Sequence, residues 1–239
     1  MLRWLGPSLD FPPLDSALIK PNGLLAMGGD LSPARVLAAY RQGVFPWFNE
    51  GEPILWWSPD PRMILFPDEL RITRSLAKTL RNKPYEIRVD TNFRQVMQAC
   101  AAPRDIHGGT WITDEMIDAY CVLHHMGYAH SIECWMEGEL AGGLYGMAIG
   151  QMFYGESMFT HRTDASKIAF VHLVRQLGRW EFRMIDCQMK TNHLASLGGR
   201  EIARSNFAAR LKVLVDGIHR PGPWQFEHSS VLIQGAGSA

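Results

Sequence analysis

Apolar and polar positions change their spacing several times along the chain, and each change marks an element. The first 31 residues are punctuated by Pro7, Pro12, Pro13, Pro21, Gly23, Gly28 and Gly29, a pattern that disfavours long regular elements and predicts a segment draped over a partner surface. Ser32-Pro33 then opens a helix whose apolar face is Val36, Leu37 and Tyr40 and which ends near Gly43. MILFP, at 63 to 67, reads as a strand, and Thr73 caps a helix with Leu76 and Leu80 on one side. YEIRVD is a further strand, Asn92 caps a helix to about Ala101, Pro103 to Gly109 is a loop, and Thr113 caps a helix ending near Gly127. His130 to Met136, Leu140 to Ala148 and Gln151 to Met158 form an antiparallel meander. A helix beginning at Thr163 or Asp164, the strand MIDCQM, a last helix from about Ser205 to Val215 and a loose tail after Ser229 complete the chain.

This order predicts an α+β fold: a small irregular N-terminal lobe over residues 1–62, then a larger lobe with a mixed sheet over 63–239. The boundary falls at Ser58-Pro-Asp-Pro-Arg62, where two prolines in three residues interrupt any element. Aromatic residues between Val44 and Trp57 pack a small N-terminal core on the plain reading. Trp47, between Pro46 and the loop-forming Asn49 to Gly51, can instead line a cleft between the lobes.

The meander holds the most informative stretch, GGLYGMAIGQMFYGESMF, which puts one acid, Glu156, in an apolar and glycine-rich run. Ile149-Gly150 is its turn. Strand alternation predicts that Tyr154, Glu156 and Met158 share one face while Phe153, Gly155, Ser157 and Phe159 take the other. A carboxylate among apolar neighbours is costly unless paired, hydrogen-bonded or open to a polar cavity, so a structural ion pair and a functional role both stand. Asp186 and Gln188, two apart in a strand, share a face by the same rule. If that strand lies beside the Glu156 strand, two acids and an amide converge, either as a buried hydrogen-bond network or as a site for a cation or amine beside an apolar group.

Charge adds one local feature. Lys plus Arg and Asp plus Glu are 24 each, so contact with nucleic acid requires a local patch. Arg74, Lys78 and Arg81 share one face of the helix after Thr73, with Arg71, Lys83 and Arg88 extending the cluster. A solvated helix face and a phosphate-binding face both fit. The four cysteines contain no CxxC pair and sit in apolar segments, which predicts buried reduced thiols and a cytoplasmic protein. The start has no signal-peptide core and no run is long enough for a membrane span.

Several motifs fail on inspection. Gly155-Glu-Ser-Met-Phe159 lacks the last glycine of a nucleophile elbow, and Gly142-Gly-Leu-Tyr-Gly146 lacks the following helix that would receive a phosphate. His124, His125 and His130 have no companion acid or cysteine motif, so they read as exposed histidines at a helix end and no metal is expected.

The stretches Pro21-Asn-Gly-Leu-Leu-Ala-Met-Gly-Gly-Asp-Leu31, Gly43-Val-Phe-Pro-Trp-Phe48, Leu55-Trp-Trp-Ser-Pro-Asp-Pro-Arg62, Gly109-Thr-Trp-Ile112, Gly155-Glu-Ser-Met-Phe159, Asp186-Cys-Gln188 and His193-Leu-Ala-Ser-Leu-Gly198 resemble, in order, the leucyl/phenylalanyl-tRNA–protein transferases. The resemblance implies a larger lobe similar to the acetyltransferase-like (GNAT) fold. It implies transfer of leucine or phenylalanine from aminoacyl-tRNA to the N-terminal Arg or Lys of a protein, marking that protein for degradation. It also implies no cofactor, and monomeric action in the cytoplasm. By the same resemblance Trp47 and Trp111 are walls for the terminal adenosine, and Phe153 and Met158 belong to the aminoacyl side-chain pocket. On this reading Asp186 is expected to polarise Gln188, whose carbonyl would accept from the attacking amine, and Glu156 to attract the cationic acceptor terminus. Two rivals stay open: a coenzyme-A-dependent N-acyltransferase, which needs a glycine-containing pyrophosphate loop where this chain has Thr160-His-Arg-Thr-Asp-Ala-Ser-Lys167, and a non-catalytic tRNA-binding protein.

Overall fold

In a computed structural model that describes residues 2–102 and 110–227, the N-terminal segment forms a four-stranded sheet. Its strands are β1 (Arg3–Leu5), β2 (Leu24–Gly28), β3 (Phe45–Pro46) and β4 (Leu55–Trp57), in the order β1-β2-β4-β3, with helix α1 (Pro33–Arg41) between β2 and β3. The prolines and glycines keep these strands short, as their spacing predicts, without preventing a sheet. Ser32 caps α1 by accepting from the Arg35 N–H. Arg35 itself is buried, with its guanidinium bonded to Asp30 and to the carbonyls of Gly6 and Ser8, so it holds the first residues down.

The larger lobe is built on a seven-stranded sheet. In chain order it comprises β5 (Arg62–Leu65), α2 (Arg74–Asn82), β6 (Glu86–Val89), α3 (Phe93–Ala101), α4 (Asp114–His125), β7 (Ala129–Met136), β8 (Glu139–Ile149), β9 (Met152–Thr160), α5 (Ala165–Arg179), β10 (Met184–Gln188), α6 (Asn192–Ser196), β11 (Arg200–Ile202) and α7 (Arg204–Leu214). The sheet order is β11-β5-β10-β9-β8-β7-β6, antiparallel except between β9 and β10. This is the mixed α+β arrangement that the order of elements predicts. The expected loop from Pro103 to Gly109 and the tail after Ser229 lie outside the described residues.

Alternation along the strands feeds two cores. One side packs Leu144, Ala148, Phe153 and Ile185 against Leu76 and Leu80 of α2 and the apolar face of α5. The other packs Tyr145, Met147, Met152 and Tyr154 against α3, α4 and α7, and is continuous with Tyr40, Phe45 and Trp56 of the N-terminal sheet. The two lobes are therefore joined through shared core rather than by a linker.

Local details differ from the sequence expectations for identifiable reasons. Asn92 precedes α3 but makes no side-chain cap; instead Glu133 of β7 accepts from the backbone N–H of Thr91 and Asn92 at 3.0 and 2.8 Å. His130 is a fully buried strand residue, not an exposed helix end: its Nδ1 lies 2.9 Å from Asp90, and its ring stacks 3.5 Å from Trp224. Arg88 leaves the basic cluster because Glu86 takes its guanidinium at 2.9 Å through two bonds.

Candidate active site between two parting strands

β9 and β10 run parallel through three registered pairs, ending at Asp186 opposite Tyr154. Both strands then bulge. On β9, Tyr145 pairs with Ser157 and Gly146 with Gly155, so Glu156 is the extra residue; on β10, Ile64 pairs with Asp186 and Met63 with Gln188, so Cys187 is extra. Gly146 permits the first bulge, because a Cβ there would run into the Tyr154 carbonyl and the Phe153 ring. Gln188 takes a left-handed conformation, φ +61°. The ladder between the two strands stops, and a cavity of about 900 Å³ opens where they diverge.

The bulge corrects the predicted face assignment. Tyr154 belongs to the core on the α1 side, while Met158 packs with Phe153 on the α5 side, opposite Leu144. An inserted residue reverses alternation beyond it, so Tyr154 and Met158 do not share a face. Phe153 and Met158 therefore lie on the same side of the sheet, and both line the cavity with Leu144 and Phe170.

Glu156 is buried in the cavity wall. It accepts from the Gln188 side-chain amide at 3.0 Å through Oε1, whereas Oε2 is buried near the Tyr40 hydroxyl and makes no hydrogen bond of ordinary geometry to the described residues. Burial drives its pKa up to about 8, helped by the negative charge of Asp186; the Tyr40 hydroxyl, the Gln188 amide and Arg62 act in the opposite direction. Tyr40 is held by a 2.5 Å contact between its hydroxyl and that of Tyr120, and its carbonyl accepts from the Tyr154 hydroxyl at 3.0 Å.

Asp186 is fully buried and lies behind this surface rather than on it. Arg62 meets it bidentately, Nε to Oδ1 at 2.8 Å and Nη2 to Oδ2 at 2.6 Å, and donates a third bond to the Gly43 carbonyl at 3.1 Å. Asp186 Oδ1 also accepts from the Gln188 backbone N–H at 2.9 Å. The acid thus positions Gln188 through its backbone, and the partner of the Gln188 side chain is Glu156. That differs from the direct polarisation of the amide by Asp186 that the resemblance implies, and the two bulges are the reason.

Trp47, 36% exposed, and the half-buried Trp111 both line the cavity. Trp47 leans on Trp57, with ring centroids 5.4 Å apart, and its carbonyl accepts from Trp57 Nε1 at 2.7 Å. Arg74, Lys78 and Arg81 do not line it; they are exposed on α2 and make no ion pair among the described residues. Their helix is tied to the cavity rim, where Thr79 bonds Asp164 at 3.2 Å and Lys83 donates to the Thr163 carbonyl at 3.1 Å. Cys187 also lines the cavity, but burial and the Asp186 charge push its thiol far up, away from the reactive thiolate. Among the described residues no group of three metal-ligating side chains is close enough to hold an ion.

Sequence reasoning did not single out Arg62, Tyr40, Lys167 or His193 for the site. Arg62 carried a signal, since a buried acid needs a cation and Arg62 closes the Leu55–Arg62 motif. Tyr40 looked like an ordinary member of an apolar helix face.

An amide held by a carboxylate, beside aromatic walls and an apolar pocket, suits a transferase that positions an amine against an activated acyl group. The comparisons identify the family. A model described as leucyl/phenylalanyl-tRNA protein transferase matches residues 64–212, and one described as the N-terminal domain of the same family matches residues 29–60. The chain belongs to the leucyl/phenylalanyl-tRNA protein transferase family. It is 64% identical over 231 residues to a leucyl/phenylalanyl-tRNA–protein transferase of Nitrosospira multiformis, covering 97% of this chain and 100% of that one. It is 66% identical over 229 residues to the protein of the same name from Nitrosomonas europaea, covering 95% and 96%. Solved structures give only distant likenesses. A GCN5-related N-acetyltransferase from Kribbella flavida aligns at 11% identity and a TM-score of 0.37, over 72% of this chain and 61% of that chain. L-PGS from Bacillus licheniformis aligns at 13% identity and 0.39, over 72% and 57%.

Proposed function

We propose that this chain moves leucine or phenylalanine from aminoacyl-tRNA to the N-terminal Arg or Lys of acceptor proteins, tagging them for proteolysis. The observation that carries this reading is the Gln188–Glu156 contact in the wall of a cavity that also presents Trp47, Trp111, Phe153 and Met158. The two tryptophans flank the terminal adenosine, and Phe153 with Met158 receives the aminoacyl side chain. Glu156 meets the cationic acceptor, and the Gln188 carbonyl accepts from its amine. Asp186 holds Gln188 in place through the backbone. The α2 cations follow tRNA phosphates towards the rim. An aminoacyl ester is already activated, so orientation of the amine can supply several kcal/mol of the barrier, and no cofactor is required.

Residues 1–62 act as a small N-terminal domain and 63–239 as the transferase domain, with Trp47 the contribution of the first to the cavity. One chain carries every group this reading uses, so it requires only a monomer. Its substrate is found in the cytoplasm. The coenzyme-A alternative is disfavoured at the start of α5, where the Asp164 carboxylate, kept ionised by Lys167, stands at the cavity rim where a pyrophosphate would need donors. Incubation with leucyl-tRNA and an Arg-initiated peptide should add one leucine to the peptide's N-terminus by mass spectrometry; a Glu-initiated peptide should remain unmodified.

A further inference from the structure

The reaction leaves a proton to be moved, and Gln188 is poorly suited to move it. The bond that forms joins the acceptor's α-nitrogen to the aminoacyl carbonyl carbon, and the bond that breaks joins that carbon to the ribose oxygen. Attack leaves one proton too many on nitrogen and a negative charge on the departing oxygen. A neutral amide can orient the amine but is a feeble base.

In the cavity's lining, the buried Glu156 Oε2 and His193 Nε2 make no hydrogen bond of ordinary geometry to the described residues. An unpartnered buried polar atom costs free energy unless a ligand or water satisfies it, so such atoms mark where substrate groups belong. Glu156 suits the acceptor's positive charge. His193 is the second residue of α6, whose start is fixed by Thr191 accepting from the Leu194 N–H at 3.1 Å. That turn follows Gln188 after Met189 and Lys190, and Gln188, Thr191 and His193 line the same cavity.

We infer that His193 Nε2 is the proton shuttle of the transfer, taking the proton from the attacking nitrogen and delivering it to the departing ribose oxygen, directly or through one water. The imidazole ends each cycle as it began it, so atoms and charge balance without a co-reactant. This role rests on the function proposed above.

The surroundings favour the required neutral form. Burial lowers the His193 pKa from its ordinary 6.5, and the Lys167 charge lowers it further. The other titratable groups around the cavity are Asp164 beside Lys167, His161 after β9, Tyr145 on β8, Glu156 on β9 and Cys187 on β10. On the outer side, Lys190 is paired with Glu201 and Arg200 with Glu69, so those charges are largely compensated. A neutral imidazole near pH 7 is a competent acceptor, and its conjugate acid is a good donor to a departing alkoxide.

The test is single-turnover transfer from leucyl-tRNA to an Arg-initiated peptide across roughly pH 5 to 9, with tRNA binding measured alongside. At saturating acceptor the wild type should lose rate on the acid side in two stages, a first set by the acceptor amine and Glu156 and a lower one set by His193. His193→Ala should be slower by about 100-fold with tRNA affinity kept, should lack the lower stage while keeping the first, and should be partly rescued by added imidazole. Lys167→Met should move the lower stage to higher pH. If His193→Ala fails to fold, His193→Gln, similar in reach, should give the same slow profile without the lower stage. A wild-type rate in either His193 variant, or a slowed rate with the lower stage intact and no rescue by imidazole, overturns the shuttle while leaving the transfer reading untouched. An inactive wild type overturns both.

Discussion

Gln188 and Glu156 meet side chain to side chain at 3.0 Å, at the point where the ladder between their strands has ended. With the amide nitrogen committed to Glu156, the amide oxygen is the end left for a substrate amine. Gln188→Ala should therefore lower the single-turnover transfer rate by about 10-fold or more with tRNA affinity unchanged, because the lost contact acts on the reacting amine. An equal loss in tRNA affinity would contradict that assignment.

Glu156 makes the same site sensitive to pH. Its pKa is raised from 4.5 to about 8, so the group binds more protons when folded than when unfolded. Its contribution to stability is complete below 4.5 and is lost as the pH rises through about 8. Denaturation of wild type and Glu156→Gln at both ends of that range should show the wild type losing on the order of 1 to 4 kcal/mol relative to the variant on the alkaline side. In transfer assays the acceptor's apparent KM should fall as Glu156 ionises, and Glu156→Gln should abolish that fall. A parallel pH dependence in both proteins would contradict the assignment.

Asp186 and Arg62 predict a loss of a different kind. Removing one partner of a fully buried bidentate pair strands the other charge, at a cost of about 3 to 5 kcal/mol. Asp186→Asn should thus reduce stability in urea as well as transfer, whereas Gln188→Ala should reduce transfer with little change in stability. An Asp186→Asn protein as stable as wild type would show that the buried pair contributes no net stability.

Phe153 and Met158, on one side of the sheet in the cavity wall, predict donor selectivity. A pocket with a flexible thioether and an aromatic wall adapts to leucine or phenylalanine, whereas isoleucine and valine carry bulk at Cβ close to the reacting ester. Such a pocket discriminates by about 1 to 3 kcal/mol, so isoleucyl-tRNA should be a poor donor but not an inert one. Equal rates with leucyl- and isoleucyl-tRNA would contradict the pocket.

On α2, charge reversal of Arg74, Lys78 and Arg81 should weaken tRNA binding and flatten its salt dependence, irrespective of tRNA sequence. Transfer from aminoacyl-adenosine, too short to reach that helix, should be unaffected. An equal loss with both donors would remove the helix from the tRNA path.

What the sequence could and could not disclose follows from local physics. Caps at Ser32, Thr73 and Thr113 and the meander are set by neighbouring residues and were legible, while the turn of the meander falls one residue later than Ile149-Gly150, at Gly150-Gln151, because Ile149 still pairs with Met152. The bulges at Glu156 and Cys187 were not, because an extra residue is defined only against the partner strand, and strict alternation placed Met158 on the wrong face. The convergence of Glu156 and Gln188 was legible as a possibility, while Arg62, which comes from 124 residues away to meet Asp186, required the fold. His193 stood in a recognised motif, yet only the cavity shows that its Nε2 has no partner among the described residues.

The most direct measurement compares wild type and Gln188→Ala in single-turnover transfer of labelled leucine from leucyl-tRNA to an Arg-initiated peptide, without coenzyme A. The account predicts labelled peptide formed rapidly by the wild type, slowly by the variant at equal tRNA occupancy, and not at all on a Glu-initiated peptide. Label that never leaves the tRNA, a requirement for coenzyme A, or equal rates in the two proteins would contradict it.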